Sequence, residues 1–595
     1  MKYLISLILL LKIASLWAIS DAVENILLNE EETYYATEIY EKLEEYEQHP
    51  LNINTASAQE LKTFLWLSQD EIATIISMRQ DADFLSPRDL QKSGIPEINI
   101  DAMLPYIRFE ASPQLHFSYT TRLEISQKKM KNDNPLKLLQ KLEMTYDNSR
   151  WGLVTQKDSG ESNYLDYYSY FWEYTQPNLH LILGKYRINL GQGILFAPKL
   201  GISKSAVATS VSSNRSQLFR PYTSSYEIWE MQGAALEWQY RYLRLAAFGS
   251  FNQLTANLSD GIITSFDQTG LHLDPEKKHN VDEFVAGGIV TLHSTDSKID
   301  FFLSRQYFDR PIINADNDYL AWGSSLYFLI NEYPLFAEYC SADRKHAFLI
   351  GKKWGESKLR QLALYRYYQK DFPTWHGKPF AAQNNFDNEN GLYYGLTYLP
   401  LPRLKINIYF DFWQHQQPRY LEKMPTSNSE QLLQTEYKLG QHSFRIRLQH
   451  KFKEKQINLE ESLIRDLQRT TIRLDWLREL GNFSLKQRYE LSSEYLSDEK
   501  IWQDGQLFFS QLQYKNSRVQ LIGRIAVYRS DILLYMYENN VSGIMQNRIL
   551  SGDGITTFLV GKFFWSDLFE VQMKISDNLS KSEEMKFTLQ LISSF

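Results

Sequence analysis

The sequence predicts a mainly β protein: a large antiparallel transmembrane β-barrel of about two dozen strands behind a small N-terminal all-α domain. Three observations predict it. The 595 residues include 38 Tyr and 33 Phe, and aromatics make up 14% of the chain, yet the mean hydropathy is only −0.41. Strands with one apolar and one wet face have that composition, and bundles of membrane helices do not. Segments of alternating apolar and polar residues recur from residue 113 to the C-terminus, and an apolar leader stands at the N-terminus.

The leader is read as a signal peptide over residues 1–20. Lys2 precedes the apolar run Tyr3–Leu11, which resumes after Lys12, and Ala18-Ile19-Ser20 offers small residues for cleavage. The run is short for a spanning helix, and Lys12 would sit at mid-bilayer. Residues 21–50 follow as an acidic helical segment, with ten carboxylates against one lysine. Leu27, Leu28, Tyr35, Ile39, Leu43 and Tyr46 recur there at helical spacing.

Residues 51–108 read as a compact helical unit. A first helix is expected from Ala58 to Phe64. Ser68-Gln69-Asp70-Glu71 has the form of a capping box and opens a second through Met78. Ser86-Pro87 starts a third, with Pro at its first position. Gly94-Ile95-Pro96 breaks that helix, and a last short one reaches Pro105.

Beyond residue 113 the period changes to two. Leu404, Ile406, Ile408, Phe410 and Phe412 alternate with Lys405, Asn407, Tyr409 and Asp411, and Phe444, Ile446 and Leu448 with Arg445, Arg447 and Gln449. A soluble sandwich core cannot grow with ever more strands. A membrane barrel can, because its apolar face meets lipid and closure removes its edges. The last strand alternates to a terminal Phe595, and so resembles the signal read by the outer-membrane barrel assembly machinery. Outer-membrane lipid and that machinery are the partners this implies.

The segments Leu51-Asn52-Ile53-Asn54-Thr55-Ala56, Glu60-Leu61, Ile72–Arg79, Phe84–Leu90 and Gly94-Ile95 together resemble the helix-hairpin-helix domain of periplasmic competence DNA receptors. The resemblance implies such a domain over 51–110, a barrel over 113–595, and an outer-membrane protein with its N-terminal domain in the periplasm. In that family each hairpin carries Gly-hydrophobic-Gly, so that backbone N–H groups approach a DNA phosphate. Here the candidate hairpins read Trp66-Leu67-Ser68 and Gly94-Ile95-Pro96; the first has lost both glycines, and Pro96 has no N–H. Between residues 51 and 108, five Lys and Arg face eight Asp and Glu, a net charge of −3. Phosphate binding depends on neutralising charge, so docking of a periplasmic protein is favoured over DNA.

Leu183–Arg187, Gly191–Leu195 and Arg220–Ser224 resemble a family of Gram-negative proteins that join this helical domain to a barrel, which implies architecture and no settled activity. Between Pro198 and Ser225 the chain holds Lys199, Lys204, Arg215 and Arg220 and no carboxylate. Such a basic loop is expected either to fold inward and narrow the pore in favour of anions, or to be an exposed loop or a plug without selectivity.

The single Cys340 allows no intramolecular disulfide. No nucleophile elbow, Walker loop, zinc-protease helix or cysteine metal site is present. No enzyme, catalytic residue, metal or cofactor is therefore expected. The expected function is a channel or a binding and transport component, with DNA uptake or tethering as the alternative.

Overall fold

The computed structural model describes residues 43, 46 and 51–595, apart from scattered turn and loop positions that include 110–114, 198–203, 211–217, 226–229, 268–277, 419–424 and 457–463. The expected signal peptide, and the acidic segment apart from Leu43 and Tyr46, lie outside the described residues.

Among the described residues, 24 strands close into one antiparallel barrel. The first, His116–Ser126, pairs with the last, Lys586–Ser594. The backbone of Phe595 exchanges hydrogen bonds of 2.8 and 2.9 Å with Phe117. The terminal phenylalanine thus sits at the seam. Every wall strand finds two neighbours, so no edge is left unpaired.

The alternation read from the sequence is the inside–outside alternation of the wall. Phe410 and Phe412 are 41% and 50% exposed on the outer face, while Asp411 between them is fully buried in the lumen. Phe444, Ile446 and Leu448 likewise face out around a buried Arg447. A closed wall with an apolar outside and a polar inside satisfies its backbone groups within lipid, and this chain folds as a transmembrane barrel.

The two ends of the barrel differ. At the end that holds the first and last residues of the wall, strands are joined by turns as short as 402–403 and 440–441. At the other end the connections include 189–230 and 369–388.

The helical unit has four helices among the described residues of 51–109: α1 (Ala58–Leu61), α2 (Gln69–Asp81), α3 (Pro87–Gln91) and α4 (Glu97–Met103). The backbone of Ser86 donates to the Asp89 carboxylate at 3.1 Å, which caps α3 as its sequence predicts. Leu51–Asn52 pairs in parallel with Ile107–Arg108, so the unit closes on itself. Asn54 pins the same closure by bonding the Phe84 carbonyl at 2.9 Å and the Phe109 carbonyl at 3.2 Å. Leu43, Ile53, Leu61, Phe64, Ile75, Leu90 and Met103 fill the core. Leu43 and Tyr46, two members of the expected apolar stripe, are buried in it.

Candidate functional site: a lumen filled by its own loops

Three inward segments and the helical unit decide what the lumen can do. The first is the connection 189–230, which contains the basic loop. Its backbone N–H groups at Gln192 and Ile194 donate to the Glu338 carboxylate on the wall. Gly191 makes this approach feasible: its φ is +50°, and a Cβ there would lie 2.6 Å from the same carboxylate. Leu190, Ile194, Phe196, Ala206 and Ala208 are buried against the wall beyond it.

Lys204 is the charged centre of this loop. It is fully buried, 3.0 Å from Asp411 and 2.8 Å from Glu430, and lies over the Trp413 ring. Arg366, also fully buried, joins the same Asp411 at 2.8 Å and bonds Glu389. The charge of Lys204 is therefore spent on wall carboxylates and does not reach toward a passing anion. Arg220 lies on a three-residue strand, Phe219–Pro221, that pairs with Tyr186–Ile188 inside the wall. Lys199 and Arg215 lie outside the described residues.

The second segment is 369–388, which lines up with the first. The backbone N–H of Lys378 donates to the Gly193 carbonyl at 2.8 Å, and that of Ala197 to the His376 carbonyl at 2.9 Å. His376 also reaches Glu283 at 2.8 Å, and Phe380 and Phe386 complete the apolar packing.

The third is the tip of the long hairpin formed by Val519–Glu538 and Gln546–Ser566. Regular pairing shifts between Ser530 and Leu534, and beyond this irregularity the hairpin folds back over the lumen face. Leu534, Met536 and Leu550 pack on Leu507 and Phe509 of the neighbouring strand. Arg524 bonds the carbonyl of Tyr537 at 2.5 Å, although Tyr537 lies 13 residues further along the chain. Ser542, at the tip, receives Lys562 at 2.9 Å and donates from its backbone to Gln572 at 2.6 Å. Lys562 pairs with Gln520 near the short-turn end, so the tip spans most of the lumen. Glu538 is held there between Arg548 and Lys574, both at 2.7 Å.

At its far end the hairpin meets the helical unit. Tyr537 is buried in the core of that unit, and Met545 packs against it. Glu71 of α2 lies 3.7 Å from Arg360, a wall residue just past the turn at 357–358. The helical unit thus occupies the mouth of the barrel at the short-turn end.

Of the candidate hairpin residues, Leu67 and Ile95 are buried in the unit's core, and Trp66 packs beside Phe64 and Tyr106. Gly94 is exposed with φ +77°, and Pro96 caps α4. Ser68 lies outside the described residues. The sequence reading missed Glu338, Arg366, Glu430, Glu538 and Arg524. Each looks like any other polar residue on a wet strand face, and only the folded-in segments give it a partner.

No family model matches the chain, and no curated protein does. Among solved structures it is similar to the ferripyoverdine receptor of the outer membrane of Pseudomonas aeruginosa, with 10% identity, 82% of this chain and 73% of that chain covered, and a TM-score of 0.38. It is similar too to the siderophore receptor PirA from Pseudomonas aeruginosa, with 7% identity, 82% of each chain covered and a TM-score of 0.42. A porin is matched at 9% identity over 50% of this chain and 100% of that chain, with a TM-score of 0.28. The barrel itself stands on its own strand pairing.

Proposed function

We propose that this chain is a gated channel or solute-binding component of the outer membrane, whose helical unit is a periplasmic docking module on a helix-hairpin-helix scaffold. The short-turn end is then the periplasmic one, as in barrels whose long loops face outward. One observation carries the reading: Tyr537 of the lumen hairpin belongs to the hydrophobic core of the helical unit. A partner that displaces the unit from the periplasmic side must disturb the hairpin that fills the lumen. A passive structural barrel has no need of that connection.

Planar bilayers test it. The full chain is expected to conduct little, and a variant with residues 533–549 replaced by a short Gly-Asn turn is expected to show discrete steps. A shortened variant that folds as a barrel and stays silent would sink the channel reading.

DNA binding is disfavoured. The two hairpins bury their central apolar residues and lack the paired glycines, and the unit is acidic. Gel-shift titration of the full chain in detergent at low salt is expected to show no retarded DNA, and a salt-sensitive shift would restore the uptake or tethering reading.

A further inference from the structure

Between the wall covered by the loops and the wall covered by the hairpin run three consecutive strands, His442–Gln456, Ile464–Leu480 and Phe483–Leu496. Their outer faces are apolar, with Phe444, Ile446, Leu448, Ile472 and Leu474 exposed. Their lumen faces are basic. Arg445, Arg447, Lys451 and Lys453 follow one another on the first strand, and Arg465, Arg469 and Arg473 on the second. Lys486 and Arg488 continue the series on the third, both about as buried as Arg447. The series runs from Arg445, near the turn at 440–441, to Arg465, near the opposite end.

Two carboxylates on these faces are already engaged, while Glu494 stands opposite Arg469, whose guanidinium donates to the Leu533 carbonyl of the hairpin at 2.7 Å. Glu490 holds Arg473 at 2.6 Å, and Asp475 holds Arg488 at 2.6 Å. Arg445 lies 3.2 Å from Glu436 on the preceding strand. Lys451 is 3.9 Å from Glu430, which Lys204 already holds at 2.8 Å.

Arg447 stands apart. It is 3% exposed, its Nε donates to the neutral Gln434 at 2.8 Å, and among the described residues no carboxylate lies within ion-pair distance of it. Its direct cross-strand partner is another cation, Arg473. Like charges placed opposite each other oppose pairing, and a buried cation needs a counter-charge. A planar guanidinium fork matches an oxyanion in two parallel hydrogen bonds.

We propose that this lumen wall is a binding track for a multivalent oxyanion, a solute bearing phosphate or carboxylate groups, with Arg447 at its centre. The proposal rests on the reading of the barrel as a channel or binding component and names the chemistry of its solute. Rings and ladders of Arg and Lys select anions in pores.

Titration calorimetry on the full chain in detergent, with inorganic pyrophosphate and with citrate as probes, tests it. Saturable binding of at least one probe is expected. Arg447→Gln should weaken it about tenfold or more, while Arg447→Lys, which keeps the charge but loses the planar fork, should weaken it less than Gln does. Slower migration after heating on a denaturing gel shows that each variant still folds as a barrel. No saturable binding of either probe to the folded wild type, or equal affinity in Arg447→Gln, overturns the track. Equal permeability to anions and cations in the hairpin-shortened variant also overturns it and leaves the channel reading intact. Probe binding by a protein whose shortened variant never conducts has the reverse meaning: the track stands and the channel fails.

Discussion

Two arginines show how far burial sets the worth of a charge in this barrel. Arg366 is fully buried between Asp411 and Glu389. Arg305, paired with Asp318 at 2.5 Å, is 68% exposed on its side chain. Removing one partner of a buried pair strands the other in a poorly solvated site, so Arg366→Gln should destabilise the barrel by about 3–5 kcal/mol. Arg305→Gln should leave the thermal midpoint in detergent unchanged within error, because solvent screens an exposed pair. Equal midpoints for the two variants would contradict the buried network. Gly94 gives a backbone counterpart. With φ +77° and nothing within 4 Å of an added Cβ, Gly94→Ala should cost only the backbone term, about 1–2 kcal/mol. The helical unit should then open more readily in limited proteolysis.

At the scale of elements, the two helix-linking turns are held by what they bury. Ile95 is 6% exposed in the core of the helical unit, and Ile95→Ala should cost about 3 kcal/mol of local stability. Proteolysis should cut the unit sooner while the barrel keeps its heat-dependent migration. Loss of both together would mean that the unit and the wall fold as one. The wall strands were legible in the sequence because a half-lipid, half-lumen strand must alternate with period two. α2 and α3 were legible from their caps, although α1 ends at Leu61 where a helix to Phe64 was expected. The re-entrant hairpin was not legible. Ile532, Leu534 and Met536 continue the alternation of the strand below them, so the local pattern carries no mark of the pairing shift. The fold-back exists because Leu507 and Phe509, on another strand, offer apolar surface inside the lumen. The loop at 189–230 was half legible: the long basic stretch 198–225 within it, without a carboxylate, suggested an inward fold, but Lys204 found carboxylates on strands that no local window includes.

At the scale of the molecule, closure places Phe595 between Phe117 and Phe569. Its deletion removes two backbone bonds at the seam. Membrane fractions should then hold less folded barrel, seen as less heat-modifiable protein, while total synthesis is unchanged. A normal folded fraction would show that the seam closes without its last residue.

The sequence by itself determined the barrel, which face of each strand meets lipid, and the helical character of the unit before it. These follow from periods of two and of 3.6 residues, which are local properties of the chain. Only the tertiary structure decided that the polar faces meet folded-in chain as well as water. The contacts that fill the lumen join Gln192 to Glu338 across 146 residues and Lys204 to Glu430 across 226. A polar residue on a strand reports that its face is not lipid, and nothing in its neighbourhood of sequence says what will cover it. That is why the architecture could be read from the chain, while the closed lumen and the basic wall beside it appear only once the strands are brought round.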